Sequence, residues 1–317
     1  MAKTVFIINP SSASGNTGRR WVKIAPKASA LFPEVEFLFT ERGGHGEELT
    51  RAAIREGAER IVAVGGDGTM HEVLNGYFGS DAAPLNPEVS LAVLPMGTGS
   101  DLCRSLGIPR DPITALELLK RPAVGLDCGQ VTVGEEHRFF GNIGSIGISG
   151  EIARYFEEHG KNGAFSYVSG LFKSARTYQK RAFSVTLINA EGEEKRYQLP
   201  DAFIAIFANG CYFGGGMKIA PHAVLSSGDL QCILVRGVTG LEIMRYLPSI
   251  FMGKHLKHEP FTSDFAIRAE LETNFESWIE LDGEPALKLG AHQKALIQVC
   301  RSKILCHVGQ GAALRRR

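Results

Sequence analysis

The sequence of 317 residues has no long apolar run, almost no charge imbalance and no basic tract that would cover nucleic acid. Its longest apolar runs, such as residues 202–208, are far shorter than the ~20 residues of a membrane-spanning helix. The apolar stretch at residues 4–8 is too short for a signal peptide. Lys and Arg number 35 against 34 Asp and Glu, whereas nucleic-acid-coating proteins carry a basic excess. We therefore expect a cytoplasmic globular protein that binds no nucleic acid.

The six cysteines occur singly, and no CxxC pair is present. This pattern predicts reduced, buried thiols in place of disulfides or zinc ligands. Several catalytic signatures are also absent: G-x-x-x-x-G-K-[ST], G-x-G-x-x-G after a strand, H-E-x-x-H and G-x-S-x-G. Function must therefore be sought in other motifs.

The chain has two parts with different sequence patterns. Up to about residue 120, near-continuous apolar strands alternate with helices, a pattern that predicts a parallel sheet covered on both faces. After that point, short apolar runs are separated by turn residues, a pattern that predicts a mainly antiparallel β-sandwich. We place the domains at residues 1–124 and 125–317, and whether the last strand, about residues 303–317, returns to the first domain stays open. Strands are predicted at residues 4–8, 35–39, 61–64, 91–94, 183–188, 203–207, 230–235, 265–271, 278–281 and 295–299, and helices at 18–31, 45–56, 70–77, 112–120, 150–158, 165–179 and 241–251.

Three turns rich in Gly, Ser and Thr follow predicted parallel strands, at the edge where open α/β sheets bind ligands. Each turn leads into a helix, whose first N–H groups and dipole favour an anion. The turns predict a phosphate cradle in which a side chain at Gly65, Gly66 or Gly97 would hold the phosphate away. Asp67 would repel phosphate, so we expect it to hold Mg²⁺. The three turns span residues 9–15, 65–69 and 95–101.

Taken in order, the motifs resemble those of the diacylglycerol kinase catalytic domain family, which includes soluble bacterial diacylglycerol kinases, YegS-like lipid kinases and sphingosine kinases. The Gly65–Thr69 turn alone is weak, because NAD kinases and phosphofructokinases carry similar turns, whereas the full set covers nearly the whole chain. Two positions depart from the family pattern: Ser100 stands where Asn is usual, and Ser227 where an Asp holds a structural Mg²⁺. The other motifs are Asn9-Pro10 with Ser14-Gly15, Glu72 with Asn75-Gly76, Pro95-x-Gly97-Thr98 with Asp101, Asn209-Gly210, Gly214–Gly216, Ala220-Pro221 and Leu281–Glu284.

The resemblance implies an ATP-dependent lipid kinase that transfers the γ-phosphoryl group to a lipid hydroxyl with Mg²⁺. Its first domain would be NAD kinase- or phosphofructokinase-like and bind the nucleotide, and its second would bind the lipid. Asp67, helped by Asp101, would organise Mg²⁺, and Asp229 would replace the missing ligand at the structural site. Glu284 would be the base with Asp282 supporting it, although Asp-Gly is also a common hairpin turn and which of the two acids is the base stays open. The nucleotide residues would be Asn9, Pro10, Ser14, Gly15, Thr40, Gly65, Gly66, Asp67, Gly68, Thr69, Glu72, Gly97, Thr98 and Asp101.

Other interpretations remain open at this stage. The chain could phosphorylate a soluble substrate such as NAD, or bind lipid without catalysis. A lipid acceptor implies transient peripheral membrane contact, for which the helix at residues 241–251 with Lys254 and Lys257, or the tail Arg315–Arg317, are candidates. The sequence identifies neither the acceptor lipid nor the oligomeric state, and a homodimer is compatible with it.

Overall fold

The structure, a computed structural model, describes residues 3–159, 174, 178–179 and 181–314. It divides into two compact units, of which the first comprises residues up to Leu126 together with Ser302–Ala313, and the second comprises Asp127–Arg301. Most of the predicted helix at residues 165–179, and the basic tail Arg315–Arg317, lie outside the described residues. Among the described helices, none is both long enough and apolar enough to cross a membrane.

The first unit contains a parallel sheet in the order β4 (Ser90–Pro95), β3 (Arg60–Gly65), β1 (Thr4–Ile8) and β2 (Val35–Phe39), joined by helices. Strands β1, β3 and β4 are buried almost throughout, as expected where helices cover both faces of a sheet, whereas the edge strand β2 is only half-buried. Trp21 shows how a helix packs, since its ring lies 5.5 Å from that of Phe6. The end of β15 extends this sheet, with Leu305 opposite Ser90 of β4. The elements are β1 (Thr4–Ile8), α1 (Asn16–Leu31), β2 (Val35–Phe39), α2 (His45–Arg55), β3 (Arg60–Gly65), α3 (Asp67–Tyr77), β4 (Ser90–Pro95), α4 (Asp101–Ser105) and α5 (Pro112–Leu118).

The second unit is mainly antiparallel, in the order β14-β13-β7-β9-β8-β12-β15, with β10 paired to β9 and β11 to β10. Alternate residues of β8 are buried, namely Phe183, Val185 and Leu187, which is the period of a strand with one face on the core. The predicted combination of an α/β unit and an antiparallel β unit is confirmed. The elements are β5 (Val124–Val133), β6 (Glu136–Phe140), β7 (Ile143–Gly147), α6 (Ile148–His159), β8 (Arg181–Ile188), β9 (Glu194–Ala208), β10 (Leu230–Arg236), α7 (Gly240–Phe251), a 3₁₀ turn (His255–Lys257), β11 (Phe261–Ala266), β12 (Arg268–Thr273), β13 (Ser277–Leu281), β14 (Glu284–Leu289) and β15 (Lys294–Cys306).

Several segments differ from the predictions, since β5, β6, β7 and β14 lie outside the predicted strand ranges. The apolar run at residues 265–271 is two strands, because the chain leaves the β10 pairing at Ala266 and joins β8 and β15 from Arg268 onwards. The glycine-rich segment 141–147, for which no strand is predicted, contains the buried strand β7. A Cβ atom on Gly147 would lie 2.5 Å from the Phe203 carbonyl oxygen, so glycine serves close strand packing there.

Candidate active site

The strand order of the first unit creates a switch point between β1 and β3, because the chain proceeds outward from β1 to β2 and from β3 to β4. In open α/β sheets, ligands bind outside the carboxyl ends of the strands at such a point. The Asn9 amide donates to the Val64 carbonyl (3.0 Å), which aligns the two strand ends. The loops after β1 and β3 therefore flank the position where this fold binds ligands.

The turns after β3 and β4 pack glycine against glycine. The Gly65 carbonyl accepts hydrogen bonds from the Met96 and Gly97 amides at 2.9 and 2.8 Å. A Cβ atom on Gly97 would lie 2.7 Å from the Gly66 nitrogen and closer still to its Cα, and one on Gly65 would collide with the Thr69 side chain. Only at Gly66 would a Cβ make ordinary contact, 3.4 Å from Gly97 Cα. Gly65 and Gly97 are therefore required for the packing of the two turns, in addition to any space that they leave for a phosphate.

Asp67 joins these turns to helix α4. Its carboxylate oxygens accept hydrogen bonds from the amides of Asp101 (3.1 Å) and Leu102 (3.2 Å). The buried Asp101 carboxylate accepts a hydrogen bond from Arg104, which also donates to the Gly99 carbonyl (2.9 Å). Two of the predicted acids therefore lie in one bonded network beside the glycine turns.

The Asp67 network fits a Mg²⁺ ion that is shared with phosphate groups. No cluster of three His, Cys, Asp or Glu side chains suited to a metal occurs in the described ranges. Nucleotide-bound Mg²⁺ needs only one or two carboxylates, with phosphate oxygens and water completing its shell. A carboxylate has about four lone-pair sites, so accepting amide hydrogen bonds is compatible with metal binding at Asp67. The neighbouring Thr69 hydroxyl is buried with no hydrogen-bond partner, so the protein leaves a polar group unsatisfied at this turn.

The turn after β1 has an unusual backbone. The Asn9 side-chain oxygen accepts hydrogen bonds from the Ser11 and Ser12 amides, both at 3.1 Å, and Pro10 lies against Gly18. Ala13, Ser14 and Gly15 then have φ values of 52°, 56° and 78°, immediately before helix α1. Non-glycine residues rarely adopt positive φ, and such residues cluster at ligand-binding loops. The predicted residues of this turn are thus held in a defined, strained loop.

Thr40 and Glu72 have structural partners in the same unit. Thr40 is buried directly after β2, and its amide donates to the Ile8 carbonyl (2.8 Å). The two Glu72 oxygens accept hydrogen bonds from the amides of Gly44 (2.9 Å) and Gly46 (2.8 Å) at the start of α2. A carboxylate is stabilised there by the helix dipole. Glu72 thus ties α3 to α2, while Gly68 lies in the first turn of α3 and Thr98 between β4 and α4.

In the second unit, Asp282 and Gly283 form the two-residue turn of the β13–β14 hairpin. Their φ values are 53° and 93°, as a type I′ turn requires, and Asp-Gly is a preferred sequence for it. Leu281 pairs with Glu284, which is the half-buried first residue of β14. The segment is therefore a tight hairpin turn, with Glu284 directly after it.

The Asp282 carboxylate organises the loop before β7. It accepts three backbone hydrogen bonds, from Gly141 (2.9 Å), Asn142 (2.9 Å) and Ile143 (3.0 Å). The Asn142 side chain in turn donates to the Tyr212 carbonyl (2.7 Å), and the Asn209 side chain donates to the Gly141 carbonyl (2.8 Å). Residues 141–143, 209–212 and 282–284 therefore converge, and Asp282 acts as a positioning residue for that group of loops.

Glu280 belongs to this site but escaped the sequence analysis. It is fully buried, and its carboxylate accepts hydrogen bonds from the Ser145 hydroxyl and the Gly283 amide. The Ser145 and Ser149 hydroxyl oxygens are 2.8 Å apart, which extends the network into α6. In the sequence, Glu280 is visible only as an acid within the short apolar strand β13. The alternation of a strand between two faces predicts that such an acid points to solvent, so its burial could not be foreseen.

The loop at residues 224–229 does not fit a resident Mg²⁺ ion. The Asp229 carboxylate accepts a hydrogen bond from the Ser227 hydroxyl (2.6 Å), and the Gly228 carbonyl accepts one from the Arg301 guanidinium (2.9 Å). Asp127 accepts the Gly228 amide (2.7 Å). The positive charge of Arg301 beside the Gly228 carbonyl disfavours a second cation at this loop, and we infer that the loop needs no ion.

Thermal melting tests this inference about the loop. We expect the melting midpoint to be the same in excess Mg²⁺ and in excess EDTA. A resident ion at a hundredfold excess over its Kd would add about 2.7 kcal/mol, which is several degrees at about 2–4 °C per kcal/mol. A fall of that size in EDTA would restore Asp229 as a metal ligand.

Two family models and a curated relative match this chain. The diacylglycerol kinase catalytic domain model matches residues 3–131, and the model of the YegS C-terminal NAD kinase beta sandwich-like domain matches residues 143–301. A Chromohalobacter salexigens protein named “Probable lipid kinase YegS-like” is 30% identical over 309 residues, covering 89% of this chain and 88% of its own.

Two solved structures share the fold. A crystal structure of a diacylglycerol kinase from Bacillus anthracis strain Sterne has a TM-score of 0.70 at 20% identity and covers 98% of each chain. Yeast NADH kinase complexed with NADH has a TM-score of 0.50 at 10% identity, covering 98% of this chain and 84% of its own. At such low sequence identity, the similarity shows the fold alone. It confirms the predicted NAD kinase-like architecture.

An α/β unit with glycine-rich turns beside its switch point, together with a NAD kinase-like β-sandwich unit, is typical of a class of two-unit kinases. Within that class, the chain belongs to the diacylglycerol kinase catalytic domain family of lipid kinases, in its YegS-like form. The resemblance stated from the motifs is confirmed.

Proposed function

We propose that the protein is an ATP-dependent lipid kinase that transfers the γ-phosphoryl group to the hydroxyl of a diacylglycerol-like or sphingoid-like acceptor with Mg²⁺. The observation that carries this proposal is the packing of the Gly65-Gly66 turn against Gly97 at the switch point, with Asp67 bonded beside it. Family membership adds the lipid acceptor class.

In this proposal, the first unit binds the nucleotide phosphates through backbone donors. The first N–H groups of a helix have no intrahelical acceptor, so the start of α3 at Asp67 and Gly68 offers donors to an anion. Gly66 leaves space beside them because it has no side chain. Asp67 would hold Mg²⁺, with Asp101 behind it; when bound, the ion neutralises charge on the phosphate oxygens during transfer.

The second unit supplies the base. Glu284 would accept the proton of the lipid hydroxyl, whose oxygen forms a bond to the γ-phosphorus. The bond between that phosphorus and the bridging oxygen breaks, and ADP leaves. Asp282 and Glu280 would act as positioning residues, because one anchors the turn to the loop at residues 141–143 and the other binds the Gly283 amide. Phosphoryl transfer depends mainly on such positioning and on charge stabilisation.

A NAD-kinase activity is the second candidate, since yeast NADH kinase shares the fold. The family models and the lipid-kinase relative favour a lipid acceptor. A non-catalytic lipid-binding role is the third candidate, and the presence of Asp67 and Glu284 in bonded, ordered turns weighs against it.

The test is mass spectrometry of lipid extracts and of NAD, each incubated with the protein, labelled ATP and Mg²⁺. We expect label in a hydroxyl-bearing lipid and none in NAD. Label in NAD alone would establish the second candidate, and no label above that of the Glu284→Ala variant in any substrate would establish the third.

A further inference from the structure

Helix α7 presents an apolar stripe on its outer face. Leu241 is 60% exposed, Met252 directly after the helix is 58% exposed, and Phe251 is 44% exposed. Positions 241, 245, 248 and 252 follow the i, i+4, i+7, i+11 spacing of one helix face. A face of this kind is normally polar when it meets water. We call Leu241, Arg245, Pro248, Phe251 and Met252 the α7 stripe, and all five are exposed.

The opposite face of α7 is firmly packed, so the stripe has a fixed orientation on the second unit. Ile243 and Ile250 are 4% and 3% exposed, and the Tyr246 ring packs 5.4 Å from that of Phe261. The helix also begins with a capping box between Thr239 and Glu242. The exposure of the stripe therefore does not arise from a poorly anchored helix.

Positive charge adjoins the stripe. Arg245 lies within it, and Gly253, at φ 67°, ends the helix and leads to the exposed Lys254 and Lys257. Among the described residues, these three cations form no ion pair. Glu242 and Glu259 are exposed acids of this segment, and the Glu242 carboxylate accepts a hydrogen bond from the Thr239 amide in the capping box (2.7 Å). Apolar side chains beside unpaired cations match the chemistry of an anionic lipid surface.

We propose that the α7 stripe docks the protein on an anionic bilayer. The helix has 12 residues, about 18 Å, which is too short to cross the hydrocarbon core and suits a helix lying in the plane of the interface. The inference rests on the proposed function, because a kinase of membrane lipids must approach the bilayer. The inference identifies the surface that contacts the bilayer. The apolar residues would contact the boundary of the acyl chains, and the cations would contact the anionic headgroups.

The experiment is sedimentation with vesicles of phosphatidylcholine alone or mixed with phosphatidylglycerol, using the whole chain. We expect the wild type to sediment with the anionic vesicles, less so at high salt because screening weakens the charge contribution. The Leu241→Ser/Met252→Ser variant should bind them at least about tenfold more weakly, since partitioning scales with buried apolar area. Val22→Ser is the matched control, because Val22 is a 73% exposed apolar residue on another helix, α1.

Activity on detergent-dispersed lipid separates this inference from the proposed function. If the double variant keeps wild-type activity there and loses it on vesicles, the docking role is supported. Equal vesicle binding by the wild type and the double variant would overturn it while leaving the kinase intact. Vesicle binding without any lipid phosphorylation would overturn the kinase and leave the docking surface. Light scattering adds one more outcome: a wild-type dimer that the double variant breaks, with vesicle binding unchanged, would make the stripe an interface between two copies.

Discussion

Replacing Glu284 by Gln should lower kcat for lipid phosphorylation by about 10²–10⁴-fold, the usual contribution of a general base. ATP affinity should stay close to wild type, because the change removes a proton acceptor used in the chemical step. Gln has nearly the shape of Glu, and the pairing of residue 284 with Leu281 involves the backbone, so the hairpin should persist. Initial-rate kinetics against both ATP and lipid provide the measurement.

Glu276→Gln is the control for this prediction. Glu276 lies just before the same hairpin and forms an exposed ion pair with Lys288 (2.8 Å), a contact of about 0–1 kcal/mol. Its loss should leave kcat unchanged. A large loss of ATP binding or of the melting midpoint in Glu284→Gln would instead assign Glu284 a structural role, and the identity of the base would then have to be sought elsewhere on this unit.

Asp282 illustrates why the base and its support need separate variants. Asp282→Asn keeps one acceptor oxygen where three backbone amides of residues 141–143 now bind two. It therefore acts on the geometry of a loop, and its effect on rate would pass through that loop. Glu284→Gln changes the first residue of β14, outside the two-residue turn, and we expect it to be the cleaner probe of the chemical step.

The fold was largely predictable because its sheet strands are contiguous apolar runs. β1 and β4 are buried along their whole lengths, so every side chain signals burial and helices must cover both faces. The three turns could be found for the same reason, since each one immediately follows such a run. Parallel strands then bring their ends to one edge without any knowledge of side-chain contacts.

The roles of the acids could not be predicted, because their partners are distant in sequence. Asp67 binds an amide 35 residues away, Glu72 binds one 28 residues away, and Asp282 binds one 141 residues away. Each acid satisfies backbone N–H groups of a loop or helix start, a role that depends on tertiary position. Composition indicates acids suited to metal or base chemistry, whereas the structure shows that the same carboxylates also hold the turns in place.

Gly66→Val should abolish most ATP binding while the protein stays folded. Gly66 has φ −104° and ψ −166°, an extended conformation that valine adopts, and a Cβ there would contact only Gly97 Cα at 3.4 Å. The valine side chain would instead occupy the space that the phosphates need beside α3. Each charge-assisted hydrogen bond lost is worth about 1.5–3 kcal/mol, or about 10–100-fold in Kd. Calorimetric titration with ATP measures the effect.

The same substitution at the neighbouring glycine should act by a different route. In Gly97→Val the Cβ would lie 2.7 Å from the Gly66 nitrogen and nearer to its Cα, so the two turns must separate. Overpacking of this kind costs about 1–3 kcal/mol, and the loss should appear as a melting midpoint lower by several degrees. Comparing the two variants thus separates two roles of glycine. Gly66 would leave space for the phosphates, whereas Gly97 allows the two turns to pack against each other. Unchanged ATP affinity in Gly66→Val would remove the phosphate site from this turn, whatever Gly97→Val does.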